Sequence, residues 1–426
     1  MEFVTNIKKS DFEEFVLKTK NTHFMRSYHW GDITKYKNYK PHYVGLKDKQ
    51  TIVAVALLLE KELPLGYSYF YCPRGYSLDF KNEKLLKIFT EKLKEYGKTK
   101  KAIYIKIDPD IKRHDLDPNG NIIGKENNYK IIKNLINLGY KHKGYNIEFT
   151  NEQPRFTFRL DLTKTNEEIN ANMQSTTRNI LNRGNQYNFE VLKNEQVKIE
   201  DFYQTMEETA KRENLGCNGI GYYKNFYTLL NEEKMGDIYA IKLNIKNLKE
   251  TYQKNIEEKR KKIEEQKTNK NANPKKLENR IKEIEIEIEK INKDLNEIET
   301  INKEEIILSS IITAKYDDKV WIVHGGNATL LRNLNANYFL YNEIIKESKK
   351  EGYKTIDLFG CSGEANPEKT SAIYGLHNFK KRFGGEYIEF IGEFDLIINK
   401  FMYFIFNIIV PIRRKIVKKQ LRKENK

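Results

Sequence analysis

The chain has 426 residues, more than one ordinary hydrophobic core holds, so at least two domains are expected. With 39% hydrophobic and 12% aromatic residues it falls outside the disordered class. A formal charge of +16 points to polyanionic partners such as nucleic acid, phosphorylated small molecules or anionic lipid.

From the N-terminus, "MEFVTNIKKSDFEEF" lacks the apolar run of a signal peptide, which predicts a cytoplasmic protein. Residues 66–110 read as an aromatic strand, a glycine turn, an amphipathic helix ending near Gly97 and a strand closing on Asp108. In "YCPRGY", Arg74 sits in a Pro-Gly turn between two aromatics. An acid at the C-terminal end of a strand faces the ligand crevice of many α/β sheets, while Asp-Pro also opens turns. Asp108 admits both readings.

Further on, "NMQSTTRNILNRGNQYNFEV", residues 172–191, reads as a helix bearing Arg178 and Arg183. Arg212 comes late in the next helix, before a glycine-containing loop. Arginine binds phosphate bidentately and stacks on aromatic faces, but a lone arginine is more often a surface ion pair.

Residues 246–304 change character. Leu277, Ile281, Ile284, Ile288, Ile291, Leu295 and Ile298 form a 4-3 heptad seam that runs through "EIEIEIE", and "KTNKNANP" breaks the segment in two. An antiparallel helical hairpin is expected, its second arm roughly 40 Å long. Its 16 basic and 14 acidic residues nearly cancel, so the charge excess lies elsewhere.

The 319–364 segment repeats the 66–110 pattern, with Gly326 and Asp357 where the first copy has Gly75 and Asp108. The expected fold class is therefore α/β, two copies of one unit with the helical arm inserted in the second. "GLHNFKKRFGG", residues 375–385, puts Phe379, Lys380 and Phe383 in a basic stretch between glycines. Residues 401–412, "FMYFIFNIIVPI", are too few to span a bilayer, and a tail rich in Lys and Arg follows. This pairing suits either an anionic membrane surface or a core-packed end with a solvated tail.

Cys72, Cys217 and Cys361 are odd in number and far apart, which supports neither a disulfide framework nor a zinc site. No Walker loop, no GxSxG elbow and no Arg/Gln-x-x-Gly-x-Gly/Ala cradle for coenzyme A is present.

Several stretches together resemble the Fem family of peptidoglycan bridge-forming aminoacyltransferases, over nearly the whole chain. They are "HYVGLKDKQTIVAVALLLEKELPLGYSYFYCPRG", "IYIKIDPDIKRHDLDPNGNIIG", the 246–304 hairpin, and "IDLFGCSGE" followed by "GLHNFKKRFGGEYIEFIGEFDL". The resemblance implies two tandem acetyltransferase-like (GNAT) domains, at 1–155 and at 156–245 with 305–400. It leaves a coiled-coil arm at 246–304 and an apolar-basic element at 401–426. It implies transfer of an amino acid of glycine, alanine or serine type from aminoacyl-tRNA to a stem-peptide amine, on lipid II or another precursor, with no cofactor and no metal.

The family's lysine falls on Lys380, to neutralise charge on the reacting ester, and its cleft aspartate on Asp108. Phe379 and Phe383 would stack on the terminal adenine. Arg212 would hold an acceptor phosphate, with Arg74 a further substrate-binding candidate. A second phosphate-binding lysine falls on Lys35, with Lys37 its rival. The implied location is cytoplasmic, peripheral at the inner face of the bacterial membrane, with homo- or hetero-oligomers of related transferases also implied. An acyl-CoA-dependent N-acyltransferase and a non-enzymatic RNA-binding protein are the alternatives.

Overall fold

Each strand–helix–strand repeat sits at the centre of its own sheet. The structure, a computed structural model, describes residues 1–147, 152–268, 273–369, 371, 373–409 and 411. In the first half, Ser68–Cys72 and Ala102–Ile107 run parallel, joined by the helix Glu83–Thr99. Asn82 caps that helix by accepting from the Leu85 N–H, and Leu86, Phe89 and Leu93 bury one face against the sheet. In the second half, Lys319–Asn327 and Thr355–Gly360 run parallel, joined by the helix Ala336–Lys350, whose Leu340, Ile344 and Ile345 are buried.

The protein is mixed α/β with two sheets, one of seven strands and one of nine. Both follow one plan over their first seven positions: four antiparallel strands, a parallel fifth, then two more antiparallel. The sixth position is exchanged. Phe394–Ile397, from the end of the chain, fills it in the first sheet, and Phe156–Asp161 fills it in the second. Lys112–Leu116 and Ile122–Asn127 then extend the second sheet past Glu386–Phe390. Both halves also share one hydrophobic cluster, in which Phe24 meets Trp321 with ring centroids 5.2 Å apart.

The arm is the helix pair Ile245–Thr268 and Pro274–Glu299. Ile245, Leu248, Tyr252, Ile256 and Ile263 are buried, and the 277–298 seam is the covered face of the second helix, with Ile298 fully buried. "EIEIEIE" is helical, and Ile286, outside the seam, faces out. Asn273 caps the second helix and Pro274 occupies its first turn, where a missing N–H costs nothing.

Two expectations are corrected. The helix expected over 172–191 runs only Ser175–Gly184, continues as one 3-10 turn to Tyr187 and stops at the left-handed Asn188, and Glu190–Lys193 is a strand. The second glycine turn is no turn. Gly325 and Gly326 lie within a strand, where a Cβ on Gly326 would fall 2.5 Å from the Met206 nitrogen of the covering helix Ile199–Arg212. Among the described residues no helix is long and apolar enough to cross a membrane. Of the 401–426 element, residues 410 and 412–426 lie outside the described residues.

Candidate active site

Lys380 belongs to the short helix Tyr374–Lys381, and its side chain is buried at the end of the 355–360 strand. The ladder between the 319–327 and 355–360 strands ends at Trp321 and Asp357. Beyond that point the Lys380 ammonium takes the carbonyls of Phe359 at 3.1 Å and Gly360 at 2.7 Å. Phe359 is left-handed, with φ of 62°, a conformation unfavourable for a bulky residue. Asp357 holds it there, accepting from the Phe359 N–H at 2.7 Å, from Thr157 and from Arg159. Burial pushes the Lys380 pKa down to about 8, against the opposing pull of Cys361 and Asp357. An ammonium has three N–H donors. Among the described residues two are engaged.

Asp108 follows the 102–107 strand and is buried at 5% exposure. It accepts from the Tyr71 hydroxyl at 2.9 Å and from the Arg74 N–H at 2.6 Å. Burial raises its carboxyl to about 7, with the Arg74 charge opposing. At that value it can take or release a proton near neutrality.

One side chain that the sequence reading did not single out joins these turns. Arg159, on the exchanged strand Phe156–Asp161, donates to Asp110 at 2.7 Å and to Asp357 at 2.6 Å. Asp110 stands two residues past Asp108, and Asp357 supports the turn under Lys380. A guanidinium fork suits such a double bridge where a lysine would not. The available signals were the second acid of "DPD" and an arginine within the strand "FTFRLD".

The other candidates separate. Arg74 is enclosed at 3% exposure and left-handed. Its guanidinium reaches the Pro154 carbonyl at 3.4 Å and lies 4.9 Å over the Phe390 ring. The Arg74 backbone N–H supports the Asp108 turn, and its Nε–H is buried without a partner among the described residues. Phe383 has no exposed surface and stacks on Tyr338 and Tyr341, which corrects its role as a base platform to that of a core residue.

Phe379 stays partly open. It shares a cavity of about 480 Å³ with Arg212, Tyr338, Tyr341 and Leu376. Arg212 donates there to the Asn327 carbonyl at 3.3 Å and pairs with Glu213 at 2.9 Å. Lys35 is exposed and pairs with Asp32 at 2.6 Å. Lys37 instead lies 4.3 Å over the Tyr222 ring, whose hydroxyl is 3.1 Å from His324 on the 319–327 strand. Lys37 is an exposed residue like Lys35, and desolvation of its ammonium over the ring lowers its pKa. Among the described residues no group of three or more His, Cys, Asp or Glu side chains is arranged to hold a metal.

The FemAB family model matches residues 7–410. The chain is 27% identical over 412 residues to a lipid II:glycine glycyltransferase of Staphylococcus epidermidis, covering 95% of both chains. It is 25% identical over 415 residues to that of Staphylococcus aureus strain MRSA252, again covering 95% of each. The crystal structure of FemX matches with a TM-score of 0.74 at 26% identity, over 95% of this chain and 100% of that one.

Proposed function

This chain belongs to the FemAB family and is an aminoacyltransferase, and on that premise we propose that it moves an amino acid from aminoacyl-tRNA to an amine of the lipid II stem peptide, building a peptidoglycan cross-bridge. The amino acid is of glycine, alanine or serine type, and the near-full-length likeness to glycyltransferases favours glycine. In this proposal residues 1–155, and 156–245 with 305–400, form tandem acetyltransferase-like units, with 246–304 as a coiled-coil arm.

One observation carries it: Lys380, a buried ammonium held by two carbonyls, its third N–H uncommitted among the described residues. The donor ester is already activated. The acceptor amine loses a proton and attacks the ester carbonyl, and the carbonyl oxygen becomes an oxyanion. A fixed cation in a water-poor site stabilises such charge by about 3 kcal/mol or more. Collapse of the intermediate forms the amide and breaks the bond to the ribose oxygen, which leaves with a proton. Lys380 is the cation at the oxyanion. Asp108, raised to about 7, orients the amine and accepts its proton. Phe379 lines the cavity offered to the terminal adenine, and Arg212 and Lys37 face acceptor phosphates.

The test is transfer from a mixture of radiolabelled aminoacyl-tRNAs to lipid II by purified protein. Label on lipid II identifies both reaction and amino acid. Turnover of acyl-CoA in its place would assign the alternative acyltransferase reading, and tRNA binding with no transfer to any acceptor would assign the RNA-binding one.

A further inference from the structure

The chain leaves three large apolar side chains uncovered beside one small cluster. The helix Lys400–Phe404 lays Met402 and Tyr403 on Ile103 and Tyr104, and Leu63 and Tyr67 pack against the same cluster. Phe401 and Phe404, three residues apart and so on one face of that helix, point away and are 72% and 50% exposed. Leu65, at the tip between Leu63 and Tyr67, is 84% exposed with φ of 66°. A protein interior would have used these groups, and water gains nothing from them.

The surroundings are basic. Lys143 reaches the Tyr403 hydroxyl at 3.4 Å while pairing with the buried Asp395 at 3.5 Å, Lys141 lies 5.4 Å from the Tyr403 ring, and Lys400 begins the helix. The sequence from 412 to 426 adds eight Lys and Arg against Glu424 alone. Apolar side chains beside Lys141, Lys143 and Lys400 match an anionic headgroup layer, because neither signal alone anchors a protein stably.

We propose that Leu65, Phe401 and Phe404 form a docking face for an anionic phospholipid bilayer. The face rests on the lipid-linked acceptor reading above and adds how that acceptor is reached. The 102–107 strand under the helix leads from Tyr104 directly to Asp108, four residues or roughly 13 Å away at strand rise. A molecule docked by this face keeps its reacting carboxylate close to the headgroup layer.

The test is co-sedimentation of the full chain with phosphatidylcholine vesicles, with and without 30% phosphatidylglycerol, using wild type and a Leu65→Ser/Phe401→Ser/Phe404→Ser variant checked by circular dichroism. The expected result is salt-sensitive binding to the anionic vesicles only, weakened at least about tenfold in the variant. Transfer to a lipid-free stem peptide should be unchanged. If the variant does not fold, Leu65→Trp and Phe401→Trp replace it, with a blue shift of emission on anionic vesicles expected. Equal binding by wild type and variant, binding indifferent to lipid charge, or no shift would overturn the proposal. So would a wild-type dimer that the variant breaks, which would give the face to a second copy of the chain. Loss of transfer to every acceptor would instead sink the transferase reading, whatever the vesicles report.

Discussion

The Lys380 ammonium lies 2.7 Å from the carbonyl oxygen of Gly360, past the point where the parallel strands stop pairing. A backbone carbonyl fixes a cation without neutralising it, so the full charge remains for a substrate oxygen. The position is costly, and burial holds the ammonium's pKa below its usual range.

A bell-shaped pH dependence follows. Asp108 must be ionised to accept a proton, so kcat/KM should rise through about 7. Lys380 must be protonated to stabilise the oxyanion, so it should fall through about 8. Asp108→Asn should remove the acid limb. The stability signs differ for each group. With Lys380 depressed from 10.5, the unfolded chain binds more protons between pH 8 and 10.5, and stability contributed there rises with pH. With Asp108 raised from 3.8, the folded chain binds more protons between pH 3.8 and 7, and stability contributed there falls as pH rises. A kcat/KM profile from pH 5.5 to 9.5 that is flat would refute the assignment.

Arg159→Ala strips the cation from Asp110 and Asp357, both buried, and should lower unfolding free energy by about 3–5 kcal/mol. Arg159→Lys keeps charge without the fork. It should lower kcat while leaving the KM for aminoacyl-tRNA unchanged, because Asp357 then holds the turn under Lys380 less firmly. Urea unfolding and steady-state kinetics separate the two effects.

Lys37→Ala should raise the KM for the acceptor about tenfold, the loss expected of one charge-assisted hydrogen bond. Lys35→Ala should change it less than about twofold, since an exposed ion pair with Asp32 contributes little. The reverse order would return the phosphate role to Lys35.

The glycines of "GLHNFKKRFGG" are not equivalent hinges. Gly384 has φ of 77°, and a Cβ there would lie 2.1 Å from the Asn172 carbonyl oxygen. Gly384→Ala should destabilise by about 2 kcal/mol or more. Gly375 is helical with open space around it, and Gly375→Ala should stabilise by up to about 1 kcal/mol. Thermal unfolding of the two variants tests the contrast.

How far the sequence could be read depends on the kind of signal. The arm was legible because a heptad is a local period that no neighbour has to complete, as Leu277 to Ile298 illustrate. The two parallel repeats were legible because strand, helix and strand are contiguous. The exchange of Phe156–Asp161 and Phe394–Ile397 was not. Their alternation marks them as strands but does not say which sheet accepts them. Lys380 and Asp108 stood out through the family resemblance, not through charge or spacing. Arg159 was missed because the second arginine of "RFTFRLD" looks like a solvent-facing strand position, and its two acids come from distant segments. Phe383 misled because an aromatic beside basic residues looks available to a base, whereas Tyr338 and Tyr341 cover it.

The central claim rests on Lys380, and the most direct measurement is label transfer from aminoacyl-tRNA to lipid II by wild type and Lys380→Ala side by side, with tRNA binding measured for both. Wild-type transfer that falls by about 100-fold or more in the variant, with tRNA still bound, is the predicted result for loss of one oxyanion contact. A variant that transfers at the wild-type rate would contradict it.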